Sequence, residues 1–110
     1  MKIPNAEHAV VDLRKLEDYC LNPEHPRGKH KAHVFASALR LTAADAAVLR
    51  EELLARVQTE ECEEGGSDEF GRRYVLDFSY RKGDNEAMIR STWIIKATED
   101  FPRLTSCFVL

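Results

Sequence analysis

No apolar run in the 110 residues approaches the roughly twenty needed to span a bilayer, and the start, Met1 to His8, lacks the apolar stretch of a secretory signal. The expectation is a cytoplasmic protein with no membrane segment. Cysteine is sparse and odd in number: Cys20, Cys62 and Cys107 make a disulfide framework improbable as a fold device and agree with a reducing compartment. Positive charge is also short, with 16 Lys and Arg against 19 Asp and Glu, a formal net charge of -3. That balance excludes a protein whose whole surface clings to nucleic acid. Aromatics are only 8%, yet hydrophobic residues reach 44%, too many for a disordered tail and enough for one modest core. One domain over residues 1–110 follows, since the sequence contains no repeat, linker or low-complexity segment.

What charge there is, is segregated. From His25 to Arg40 stand Arg27, Lys29, Lys31 and Arg40 with His25, His30 and His33, and no carboxylate. From Glu60 to Glu69 stand six carboxylates and no base. The acidic run reads as a solvated loop that would repel RNA or dock a basic partner.

Hydrophobic periodicity divides the chain into a helical half and a strand half. Asp12 caps a first helix, 13 to 21, with Leu13, Leu16, Tyr19 and Cys20 at helical spacing. Two prolines and a glycine in Asn22 to Gly28 force a shaped loop. A second helix carries Ala32, Phe35, Ala36 and Leu39 inward and Lys29, His30, His33, Ser37 and Arg40 outward. Thr42 with Asp45 makes a capping arrangement for a third helix, whose Leu49, Leu53 and Val57 continue to about Gln58. After Gly71 the period becomes two. Tyr74, Leu76, Phe78 and Tyr80 share one face of a strand, Gly83-Asp84-Asn85 turns the chain, and Ala87 to Ala97 returns with Ile89, Ser91, Trp93 and Ile95 together. A third strand, Arg103 to Val109, alternates Leu104, Ser106 and Phe108 with Arg103, Thr105 and Cys107. The expected fold is α+β, with N-terminal helices on a C-terminal antiparallel sheet of three or four strands.

Two groups of residues suit phosphodiester chemistry. Lys29, His30, Lys31 and His33 put two ammonium groups and two imidazoles within about one and a half turns after a glycine loop. Metal-free RNA cleavage needs a base near neutral pH for the 2'-hydroxyl and fixed positive charge at the phosphorane, which His and Lys supply. On the sheet, Arg90 can clamp a phosphate, Ser91 and Thr92 can hydrogen-bond beside it, and Trp93 can stack on a base. Arg103 and Thr105 repeat the Arg-x-Thr pattern and would lie beside Arg90 and Thr92 in one pairing register. Surface lysines, a core tryptophan and threonine as ordinary strand filler are the plainer readings. Cys20, His25, His30 and His33 lack the spacing of a zinc set, and Lys29 and Lys31 would repel a cation. The prenylation-like end Cys107-Phe108-Val109-Leu110 continues a strand instead.

Taken together, Ile3-Pro4-Asn5-Ala6, Lys15 to Pro23, Gly28 to Phe35, Arg90-Ser91-Thr92-Trp93 and Phe101 to Thr105 resemble an uncharacterised family of small bacterial domains, found alone and at the ends of secreted toxins. The chain is also similar to the metal-independent ribonucleases that include barnase, RelE and colicin D. Lys29-x-Lys31 and Ser91-x-Trp93 match a helix cluster and a strand pair of colicin D, although Ala32 stands where its histidine follows the second lysine. Arg40 stands where a glycine usually ends the second helix. That resemblance implies a toxin-type ribonuclease acting on tRNA or other loop RNA, needing no metal and no cofactor. His30 or His33 would be the base, Lys29 and Lys31 would bind the phosphate, and Ser91, Arg90, Thr92, Trp93, Arg103 and Thr105 would position substrate. The alternative is a non-catalytic module that binds a small, neighbour-encoded cognate protein.

Overall fold

A computed structural model describes residues 1–110. The Asp12 carboxylate accepts the Arg14 amide at 3.0 Å and starts α1, Leu13–Lys15, which widens into a π-helical turn over Leu16–Cys20. The Asn22 to Gly28 loop is held by the His25 ring, whose Nδ1 accepts the amides of Arg27 and Gly28 at 3.0 and 2.9 Å. Gly28 is required by proximity: a Cβ there would sit 2.2 Å from the Tyr19 carbonyl oxygen. Helix α2, Lys29–Leu39, ends in a left-handed Arg40 (φ 54°), with the Leu41 amide reaching back to the Phe35 carbonyl. The Lys82 ammonium also donates to the Arg40 carbonyl at 2.8 Å. Asp45 accepts the Thr42 amide at 2.9 Å, and α3 runs from Ala46 to Thr59.

The sheet is an antiparallel meander in sequence order: β1 Glu63–Asp68, β2 Gly71–Lys82, β3 Asn85–Lys96 and β4 Pro102–Val109. The acidic segment expected as a loop is therefore partly a strand. Its residues 63 to 68 are exposed and pair with β2 on one side only, so no apolar alternation advertised it. Between β2 and β3 the chain turns through Gly83-Asp84, with Gly83 at φ 61°.

One sheet face is covered by the helices. Tyr74, Leu76, Phe78, Ile89, Trp93, Leu104 and Cys107 from the sheet join Leu16, Cys20, Phe35, Leu39, Leu49, Leu53 and Val57 in a single buried cluster. Burying each large apolar side chain stabilises the fold by about 1.5–3 kcal/mol. Helix α3 lies over β2, its Arg56 guanidinium 5.4 Å from the Phe78 ring and bonded to the Ser79 carbonyl. Helix α2 packs on β3 and β4.

The alternation expected for the last strand fails midway. Thr92 pairs with Ser106 and Trp93 with Leu104, which leaves Thr105 as the extra residue of a bulge. Leu104 and Cys107, three apart, are consequently both buried, where a strict period of two would have put them on opposite faces. The start of β4 is further covered by the N-terminal segment: the Val10 amide donates to the Pro102 carbonyl and the Leu104 amide to the Val10 carbonyl.

Candidate functional site

The residues singled out for phosphodiester chemistry occupy three separate places. On α2, Lys29, His30 and His33 are exposed and make no ion pair with a carboxylate. Lys31 turns away from them. Its half-buried ammonium donates to the Tyr19 hydroxyl at 2.9 Å and the Ser106 hydroxyl at 3.2 Å, and lies 4.8 and 5.6 Å from the ring centres of Tyr19 and Phe108. Successive helical residues are about 100° apart, so positions 29 and 31 diverge by more than a right angle.

Ser91 and Trp93 lie under the helices, on the buried face. Ser91 is 0% exposed and donates to the Leu76 carbonyl at 2.8 Å; Trp93 is 1% exposed, and its indole N–H donates to the Ser91 hydroxyl at 2.9 Å. This corrects the expectation that they touch substrate. Each satisfies the other, and neither side chain is open to RNA. Their polar atoms are the fixed partners of a core tryptophan, as buried donors require.

The third place is the opposite face of the sheet. Arg90, directly across from Asp77, makes two bonds of 2.9 Å to its carboxylate. Arg103 makes the same fork with Glu99, at 2.8 Å twice, and rests on the Phe101 ring. Thr92 and Thr105 do meet, their hydroxyl oxygens 2.6 Å apart. Arg90 pairs with Phe108 and Arg103 with Ile94, so the two arginines are not side by side as the repeated Arg-x-Thr pattern suggested. With both guanidinium forks filled by internal carboxylates, a phosphate would have to displace one.

The other constellations are also dispersed. His25 faces the loop amides and the Tyr19 ring edge, while Cys20 faces Cys107. Cys107 is buried inside β4. What sequence reasoning missed is the company of Lys31: Tyr19, Cys20, Ser106 and Cys107. The neighbouring Cys107 side chain, then the Cys107 backbone, Ser106 and Lys31, favour the Cys20 thiolate and bring that thiol down to about 7 against the opposing effect of burial. The nearby Cys20 and its own burial push the Cys107 thiol well up. Tyr19 and Cys20 were visible only as apolar positions of the first helix, and nothing local signals a contact with residues more than 80 positions later.

On the acidic edge, three carboxylates are engaged internally. Glu60 pairs with Arg56, Glu61 with the N-terminal ammonium and Asp68 with Arg73. Glu63, Glu64 and Glu69 are exposed with no ion pair. No single helix is long and apolar enough to cross a membrane.

Residues 2–110 match the family model described as a domain of unknown function, DUF6883. The chain belongs to this family. No curated protein matches it. Among solved structures, it is similar to a chain of a contact-dependent growth inhibition toxin–immunity protein complex from Klebsiella pneumoniae 342. The TM-score is 0.65 at 13% identity, with 96% of each chain covered. At that identity the likeness is one of fold: the DUF6883 chain shares the α+β layout of helices followed by a four-stranded antiparallel sheet.

Proposed function

We propose that this DUF6883 protein is a cytoplasmic, partner-binding member of a toxin–immunity pair, docking a basic cognate protein through the acidic edge of its sheet. The observation that carries the reading is strand β1. It is a sheet edge with one side unpaired, exposed along its length, and Glu63, Glu64 and nearby Glu69 form no salt bridge, the guanidinium near Glu63, that of Arg90, being already held by Asp77. Unpaired edge groups offer main-chain bonds to an added strand. The carboxylates reject a second copy of this edge and favour a partner rich in Lys and Arg, raising its association rate. The fold shared with a toxin–immunity complex chain supports a small protein as partner.

Co-expression with the small protein encoded beside it, followed by capture and calorimetry, tests this. The triple variant Glu63→Lys, Glu64→Lys, Glu69→Lys is expected to weaken binding by roughly tenfold or more, with the wild-type complex loosening as salt rises. Affinity within about twofold of wild type would refute the acidic edge as the docking surface.

A second reading, a metal-independent ribonuclease acting on tRNA or other loop RNA, is favoured by one observation. Lys29, His30 and His33 are exposed on α2 and form no ion pair, and Lys31 has hydroxyl partners but no counter-ion. In that reading Lys29, His30 and His33 carry the chemistry by 2'-hydroxyl attack on the adjacent phosphate, and Lys31, turned away to Tyr19 and Ser106, stays outside the site. Ser91 and Trp93 then only brace the strand. Incubation with total tRNA, with and without chelator, is expected to give cyclic-phosphate ends; an intact pool beside an active control would end this reading.

A further inference from the structure

We propose that the chain associates with a second copy of itself head to tail, Phe70 of one molecule entering an apolar groove beside α2 of the next. The groove holds about 270 Å³ and is lined by Leu21, Pro23, Ala32, Ala36 and Leu41, together with the His33 ring. That is below the roughly 300–1,000 Å³ of sites that enclose a free drug-sized ligand. It does suit a single ring, since a cavity of about 150 Å³ already takes a benzene. The charge around the groove is mostly positive. The loop and helix that form it carry Arg27, Lys29, His30 and His33, all exposed. Two carboxylates adjoin it in sequence: Glu24, exposed after Pro23, and Asp45 after Ala44, which is held by the Thr42 amide and the Lys82 ammonium. The occupant that fits is therefore a large apolar side chain standing next to an acidic one.

The chain itself carries such a group. Phe70 is the one exposed aromatic residue of the protein, 64% exposed at the turn between β1 and β2 and directly after Glu69. Glu69 forms no salt bridge, whereas Asp68 is taken by Arg73. A lone exposed apolar side chain is ordinary, but the backbone presenting this one is pinned. The Phe70 amide donates to the Asp68 carboxylate at 2.9 Å, and the Phe70 carbonyl accepts the Ala97 amide at 2.9 Å. Gly71 packs tightly behind it, where a Cβ would lie 2.2 Å from the Ile95 carbonyl oxygen. An anchor whose backbone is fixed in advance loses less entropy on docking. Its own groove is out of reach. Leu41 and Thr42 follow Arg40, whose carbonyl accepts the Lys82 ammonium, so the groove lies toward the Lys82 end of β2, while Phe70 precedes the Gly71 end. A rise of about 3.3 Å per residue over Gly71–Lys82 puts those ends roughly 36 Å apart. That equals the longest dimension of the molecule, 36 Å. A knob and a groove at opposite ends make a heterologous contact, which builds a row or a closed ring. The contact brings Glu69 to the basic side of α2 and needs no cognate protein.

Sedimentation equilibrium of the purified protein alone, up to about 1 mM, tests this, since a contact so small belongs to the weak class. Expected is an average mass that climbs with wild-type concentration. Phe70→Ala removes the knob, and Ala36→Glu fills the groove with a charge that repels Glu69. Both positions are exposed, so folding is spared, and association of either variant should weaken by roughly tenfold or more. An equimolar mixture of the two variants retains one knob and one groove that match, so it should form a dimer and nothing larger. A monomeric wild type, a variant that assembles like the wild type, or a mixture that stays monomeric would overturn the proposal. Should the wild type remain monomeric while the His33 ring signals in NMR move on adding the cognate protein, the groove serves that partner and the self-contact is refuted.

Discussion

Replacing Ser91 by alanine separates a structural serine from a catalytic one. The hydroxyl is the sole partner of the Trp93 indole N–H and a donor to the Leu76 carbonyl, with both bonds inside the core. Leu76 sits in the β2–β3 ladder opposite Ser91, so its carbonyl loses less than the indole does. Trp93 is left with a buried, unsatisfied donor, which costs about 1–3 kcal/mol. The lost atom is small, so the cavity contribution is minor, and about 2 kcal/mol in total is expected. For a domain of this size each kcal/mol lowers Tm by about 4–8 °C, which makes the expected fall roughly 10 °C. Urea titration and thermal melts of wild type, Ser91→Ala, Trp93→Phe and the double variant measure it. Phenylalanine has no N–H, so the serine deletion should cost about 1–2 kcal/mol less in the Trp93→Phe background. A Ser91→Ala protein within about 0.5 kcal/mol of wild type, or strictly additive variants, would refute the bonding scheme and return Ser91 to the list of residues free for chemistry.

Three other outcomes follow from local geometry. Gly28→Ala drives a methyl into the Tyr19 carbonyl and ring, and chemical denaturation should show a loss of about 1–3 kcal/mol. Arg40→Gly relieves a left-handed non-glycine residue at the end of α2 while keeping the carbonyl that Lys82 caps; a gain of about 1 kcal/mol in urea unfolding is expected, and a loss would show that the arginine side chain outweighs the backbone strain. Asp45→Ala removes the Thr42 cap and should cost about 1 kcal/mol at neutral pH. In the wild type, the Thr42 amide and then the Lys82 ammonium hold the Asp45 carboxyl below its ordinary value. Its contribution is therefore complete above the unfolded carboxyl value and lost as pH falls through the lower, folded one. Stability curves of the wild type and Asp45→Ala should converge as pH drops below about 4.

How much of this was legible before folding varies element by element. The period of two in Tyr74 to Phe78 and Ile89 to Ile95 named the buried sheet face correctly, because a half-buried strand must alternate. Of the helical stripe expected to face inward, Ala32, Phe35 and Leu39 do lie on the packed side of α2, whereas Ala36, expected with them, is exposed. The same alternation already placed Ser91 and Trp93 among core residues; their chemistry attracted attention that their face did not support. β1 was hidden because an exposed edge strand has no apolar period. The phase of β4 was lost at one bulged residue, Thr105, which no propensity marks.

Local pattern thus determined the order of helices and strands, the inward faces of α2, β2 and β3, the capping of α1 and α3, and the segregation of charge, since each depends on neighbours a few residues away. Tertiary structure alone decided which chemical groups meet. The pairing of Arg90 with Asp77, the closing of Ser91 onto Trp93, and the gathering of Tyr19, Cys20, Lys31, Ser106 and Cys107 join residues by register, bulge and helix placement. Those are properties of the packed chain, because a shift of one residue in pairing exchanges the two faces of a strand and with them every side-chain partner.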